Sequence, residues 1–145
     1  MQKYFIIIFC GLLHFGFSQN TFTNLEDALK NPESVKFLSL SKNRLKTFPV
    51  EIMKFSNLEY LDLSKNKLTT LPDTLRGLNN LKTLALNNNK LNQISEGITD
   101  LPNLKELYLA RNPITQIPIH ISKLDALVIF DCWLCHIDEL PEDMK

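Results

Sequence analysis

The sequence predicts an α/β solenoid. A curved parallel β-sheet lines its concave side, irregular and short helical segments form its convex side, and an N-terminal helix caps the first coil. Three observations predict it. An apolar pattern recurs every 23 residues through segments 35–57, 58–80, 81–103 and 104–126, and resumes in a shorter fifth, 127–145. Each segment opens with a Leu-x-Leu triplet, and an Asn follows that triplet at one spacing. A fixed period of about 20–50 residues marks supersecondary units that bury their apolar faces only by stacking.

Residues 1–18 read as a secretory signal peptide. Lys3 precedes an apolar run from Phe5 to Phe15, and Gly16-Phe17-Ser18 sets small residues where a signal peptidase requires them. The run is shorter than the roughly 20 residues a membrane span needs. Its removal leaves 127 residues, one domain's worth, with a single net negative charge. Such a balance gives no general attraction to nucleic acid or anionic membrane.

Residues 19–34 read as the capping helix and the approach to the repeats. Thr23-x-x-Glu26 matches a capping box, Leu25, Ala28 and Leu29 form a short apolar stripe, and Asn31-Pro32 ends it. The repeat domain follows over 35–145. Leu38-Ser39-Leu40, Leu61-Asp62-Leu63, Leu84-Ala85-Leu86 and Leu107-Tyr108-Leu109 alternate with period two, which turns the leucines inward and the middle residues outward. A return segment brings each strand back beside its predecessor, so the strands run parallel. Phe48-Pro49, Leu71-Pro72, Ile117-Pro118 and Leu140-Pro141 suit an extended or irregular return. Ser95 replaces the proline in the third repeat, where a local change of backbone is expected.

These residues together, L-x-x-L-x-L-x-x-N-x-L-x-x-L-P-x-x-I-x-x-L-x-N, resemble the leucine-rich repeat family in its 23-residue form, over residues 35–145. The resemblance implies that Asn43, Asn66, Asn89 and Asn112 form a structural ladder bonding backbone groups at successive corners. Cys135 stands in the same column, where the family admits Cys. It also implies a non-enzymatic module that binds a protein or peptide on the concave face. Large repeat proteins of this kind carry their catalysis on appended domains.

The repeat phase lists the residues that face that side. One outward column holds Phe37, Tyr60, Thr83, Glu106 and Ile129, the next Ser39, Asp62, Ala85, Tyr108 and Asp131, and a third ends in Trp133. The candidate ligand contacts are Tyr60, Asp62, Thr83, Ala85, Glu106, Tyr108, Asp131 and Trp133, led by the two tyrosines. Tyrosine and tryptophan bring large contact area at small entropic cost. Lys42, Lys65, Asn88 and Arg111, with Arg44, Lys67 and Lys90, form a basic rim that reads first as a solvated edge.

Cys132-Trp133-Leu134-Cys135-His136 carries the spacing of haem attachment and of redox or metal sites. Repeat phase gives both cysteines a packing role instead, so redox and haem readings rank last and no cofactor or metal is expected. A disulfide between Cys132 and Cys135 stays open. The sequence holds no phosphate loop, no H-E-x-x-H and no nucleophile set. Two further readings stand beside the binding module: a structural remnant of a longer surface protein, and self-association through a carboxyl-terminal repeat that the sequence leaves uncapped. The signal peptide places the chain outside the cytoplasm, in a periplasm, on a surface or released.

Overall fold

A computed structural model describes residues 21–138. The segment read as a signal peptide and the close of the fifth repeat, including Leu140-Pro141, lie outside the described residues. Six short strands form one parallel sheet in chain order: β1 (Thr21–Phe22), β2 (Phe37–Ser39), β3 (Tyr60–Asp62), β4 (Thr83–Ala85), β5 (Glu106–Tyr108) and β6 (Ile129–Asp131). The register steps by 23 residues at each crossing, pairing Leu38 with Leu61, Leu61 with Leu84, and Leu84 with Leu107. Pairing runs one residue past each strand, as Leu40 N–H donates to Asp62 O and Leu63 N–H to Ala85 O, both at 2.8 Å.

The inward leucines stack into one continuous core. Leu38, Leu61, Leu84 and Leu107 are fully buried, as are Ile52, Leu75, Ile98 and Ile121 on the return side. Each such side chain contributes about 1.5–3 kcal/mol of transfer free energy. The first two return segments are 3-10 turns, Val50–Lys54 and Asp73–Gly77, that begin after Pro49 and Pro72. The third differs. Ser95 accepts the Gly97 N–H at 3.1 Å and opens α2 (Glu96–Thr99), while its hydroxyl donates to Asp73 Oδ1 at 2.8 Å. Gly97 lets α2 lie directly on Asp73–Gly77, since a Cβ there would stand 2.4 Å from the Asp73 carbonyl oxygen.

Two features of the amino end depart from the sequence reading. β1 adds a sixth strand by pairing Thr21 with Phe37. The helix α1 (Leu25–Leu29) is capped by Asn24, whose Oδ1 accepts from Glu26 N–H and Asp27 N–H at 2.8 and 3.2 Å, and not by Thr23. Asparagine is at least as good an N-cap as threonine, and its reach to the amides two and three residues on fixes the start one residue later. The helix buries Ala28 and packs Leu25 and Leu29 against the core.

The Asn column makes the inner corners. Asn89 donates to Leu63 O and Leu86 O, both at 2.9 Å, and accepts from Leu68 N–H at 3.0 Å. Asn66 and Asn112 repeat that pattern. Asn43 does not: it is exposed and its side chain makes no such bond among the described residues. Each amide reaches back to a leucine carbonyl of the preceding repeat, and the first repeat has no described counterpart behind it. A second amide column, Asn57, Asn80 and Asn103, ties the outer corners to Glu33 O, Ser56 O and Asn79 O at 2.8–2.9 Å.

The residue before each inner Asn, and before Cys135 in the same column, is left-handed. Lys42, Lys65, Asn88, Arg111 and Leu134 have φ between 57° and 63°. The corner demands this turn, and a non-glycine residue gives up about 1–2 kcal/mol to make it. The basic rim is thus built on a geometrically fixed backbone.

A candidate protein-binding face on the concave sheet

Strand register sets the outward residues in a grid. Tyr60, Thr83 and Glu106 are consecutive partners along one row, and Asp62, Ala85, Tyr108 and Asp131 along the next. Seven of the eight residues expected to contact a ligand therefore share this face, and Trp133 follows β6, its N–H bonded to Asp131. They are not equally accessible. Thr83 and Ala85 are 9% and 8% exposed, because the larger side chains of β3 and β5 overhang them. They form a floor, with Tyr60 and Asp62 on one side and Glu106 and Tyr108 on the other.

The acidic residues are held in place. Glu106 Oε2 accepts from Thr83 Oγ1 at 3.2 Å and from the Tyr108 hydroxyl at 3.3 Å. Asp62 Oδ1 accepts the Ser64 N–H at 2.8 Å, and its Oδ2 accepts from Ser39 Oγ at 3.1 Å. Asp131, 7% exposed, accepts the Trp133 N–H at 3.0 Å in the same manner as Asp62. Both aspartates close the turn after their strand, a structural role beside any ligand contact. Burial first, then the carboxylates of Asp62 and Glu106, push the Tyr60 phenol up to about 12. Burial and Glu106 raise Tyr108 in the same direction. Both phenols are neutral at physiological pH.

The borders of the face are basic. Glu59 joins Lys82 at 2.6 Å and Lys36 at 3.4 Å across neighbouring strands, and the Lys82 hydrogen bond holds the Glu59 carboxyl below its ordinary range. At the opposite border Arg111 lies over the Trp133 ring, 5.1 Å from its centroid. The sequence placed these two residues in adjacent columns without revealing the stack. It depends on the left-handed turn at Arg111, which no residue pattern announced.

The cysteines turn away from this face. Cys132 and Cys135 are free thiols packed against the core, and Cys135 Sγ donates to Leu109 O at 3.4 Å. That bond is the counterpart of the Asn amide in other corners. The hydrogen bond between the two thiols, reinforced by burial, raises the Cys132 pKa. The same thiol–thiol hydrogen bond lowers the pKa of Cys135. Among the described residues no group of three His, Cys, Asp or Glu side chains is gathered as a metal site, and no helix is long and apolar enough to cross a membrane.

Against known families, the Leucine rich repeat family matches residues 33–91, 56–114 and 79–131. The chain belongs to the leucine-rich repeat family. Among solved structures, this leucine-rich repeat protein is similar to a leucine-rich repeat protein of Leptospira interrogans, at 30% identity and a TM-score of 0.71 over 87% of this chain and 38% of that one. It is also similar to internalin C2 of Listeria monocytogenes, at 25% identity and a TM-score of 0.69 over 81% and 50%. A plant peptide hormone receptor, solved in complex with RGF2, shares 30% identity and a TM-score of 0.55 over 66% of this chain and 16% of that one. The chain thus spans half or less of the length of these three structures. No curated protein matches it.

Proposed function

We propose that this leucine-rich repeat protein is an exported, non-enzymatic binding module that engages a protein or peptide on its concave sheet. The observation that carries this is the grid itself: two half-buried tyrosines and three acidic side chains, brought from strands 23 residues apart onto one ordered surface. The ligand-contact roles of Tyr60, Asp62, Thr83, Ala85, Glu106, Tyr108, Asp131 and Trp133 belong to this proposal. The family, and likeness to internalin C2 and to a peptide hormone receptor, support protein binding as the class. Export rests on the sequence of residues 1–18.

Six strands at about 4.8 Å spacing give a sheet only about 25 Å wide. A footprint that small concentrates its energy in a few side chains. Affinity capture with the wild-type protein, beside a Tyr60→Ala/Tyr108→Ala variant of equal stability, tests the proposal. Loss of roughly tenfold or more in affinity for the captured protein is expected. Equal capture by both proteins refutes a concave-face interaction.

A further inference from the structure

Cys132 stands in the column of Leu40, Leu63, Leu86 and Leu109, each 3% exposed or less. Unlike them it is partly exposed, and its smaller side chain fills less of the core. Packing therefore does not account for a cysteine here. Cys135, three residues on, stands in the Asn column. The two are joined as no other corner is. Cys135 N–H donates to Cys132 O at 3.1 Å, whereas among the described residues no backbone N–H of an inner Asn reaches the leucine carbonyl three residues back. In those corners the Asn side-chain amide does so instead, at 2.8–2.9 Å.

That bond closes a β-turn over residues 132–135, which brings the two Cα atoms within about 7 Å. A disulfide spans about 4.4–6.8 Å between Cα atoms. The side chains converge as well, since the two thiols are hydrogen-bonded to each other. Oxidation strands no carbonyl. A disulfide cannot donate to Leu109 O as the Cys135 thiol does at 3.4 Å, but Leu109 O keeps its 2.8 Å bond from Asn112.

We propose that Cys132 and Cys135 form a dithiol that closes reversibly to a disulfide by exchange with a small-molecule disulfide. The inference is independent of the concave-face reading. Cys135 attacks first. The hydrogen bond from Cys132, with one from the Asn112 backbone, favours its thiolate despite burial. Its sulfur bonds to one sulfur of the small disulfide, whose S–S bond breaks and releases the other half as a thiolate. Cys132 then loses its proton, bonds to the Cys135 sulfur and displaces the second half. Both released thiolates take up a proton, so the protein gives up two electrons and two protons and the small disulfide gains them. A bond between coils, Cys135 to Leu109, is exchanged for one within the fifth coil.

The test uses the full chain carrying Cys10→Ser, which leaves these two as its only thiols, with oxidised and reduced glutathione as the probe. The folded protein is expected to lose the mass of two hydrogens, both thiols vanishing together from maleimide labelling with no glutathione retained. At fixed reduced glutathione, half-oxidation is expected at roughly tenfold less oxidised glutathione for the folded protein than for the same chain in urea, because the turn holds the sulfurs together. Cys132→Ser keeps a hydroxyl donor for Cys135 and is expected to stop at a glutathione adduct, formed roughly tenfold faster than in Cys135→Ser. The proposal is overturned by a stable adduct on the unsubstituted pair, by thiols that persist in the folded protein where the unfolded chain is oxidised, by equal oxidation of folded and unfolded chain, or by equal adduct rates in the two serine variants.

Discussion

Gly97→Ala separates a residue that the fold needs from one that it merely tolerates. A Cβ at Gly97 would lie 2.4 Å from the Asp73 carbonyl oxygen and 2.7 Å from its carbonyl carbon and Cα. Those atoms are backbone and cannot rotate away. To restore contact near 3.4 Å, α2 must retreat by about 1 Å from Asp73–Gly77, which also stretches the 2.8 Å bond from Ser95 Oγ to Asp73 Oδ1. Overpacking of this kind costs about 1–3 kcal/mol. Replacing glycine by alanine within a short helix returns up to about 1 kcal/mol. The net expectation is a loss of about 1–2 kcal/mol, read as a lower urea midpoint at unchanged slope by far-ultraviolet circular dichroism. Gly77→Ala is the control. There the nearest atom is Met53 Cε at 3.2 Å, the free end of a flexible side chain, and the change is expected to fall within about 0.5 kcal/mol of zero. Equal effects from the two substitutions, or a Gly97→Ala variant as stable as the wild type, would refute close backbone packing as the reason for glycine at 97.

Asn89→Ala strips partners from Leu63 O, Leu86 O and Leu68 N–H, and is expected to cost about 3 kcal/mol or more by urea unfolding, while Asn43→Ala, at an exposed position, costs less than about 0.5. Lys65→Asn puts a residue that accepts φ near 57° into the corner and is expected to raise the melting temperature slightly, by about 0.5–1 kcal/mol of stability. Spectrophotometric titration should show Tyr60 ionising near 12, against an ordinary value of about 10. Because the folded value is the higher one, its contribution to stability is complete below about pH 10 and is lost as pH rises through the folded value. Phenolate appearing at the ordinary value in the folded protein contradicts the buried, carboxylate-flanked setting described for this ring.

Much of this molecule was legible because two periods, 2 and 23, multiply into a grid. Leu61 and Leu84 had to point inward and Tyr60 and Tyr108 outward once the phase was set, so the candidate face could be drawn before any coordinates. What escaped depended on single contacts. β1 is two residues long and exists only through its pairing with Phe37, so Thr21 and Phe22 carry no pattern of their own. Asn24 and Thr23 are both good caps, and the helix start that chooses between them is settled by packing. Asn43 shares every sequence feature of Asn66 but not its neighbours. Ser95 did signal a changed return segment, yet the α-turn it opens depends on Asp73, 22 residues away. The low exposure of Thr83 and Ala85 was hidden for a similar reason: their phase turns them outward, and only the larger residues on the adjacent strands cover them.

The inner Asn ladder has a direction. Asn66, Asn89 and Asn112 each spend their Oδ1 and one amide bond on the repeat before them, so every corner is fastened by the coil that follows. Behind Leu109 the fastening is a thiol at 3.4 Å in place of an amide, and thiols are weak donors. Local opening should therefore begin at that corner and travel toward the amino end one coil at a time. Amide hydrogen exchange would record it as a gradient along the array, fastest around Arg111 and slowest near β3. The same staircase would set the order in which the coils detach if the molecule were pulled from its ends.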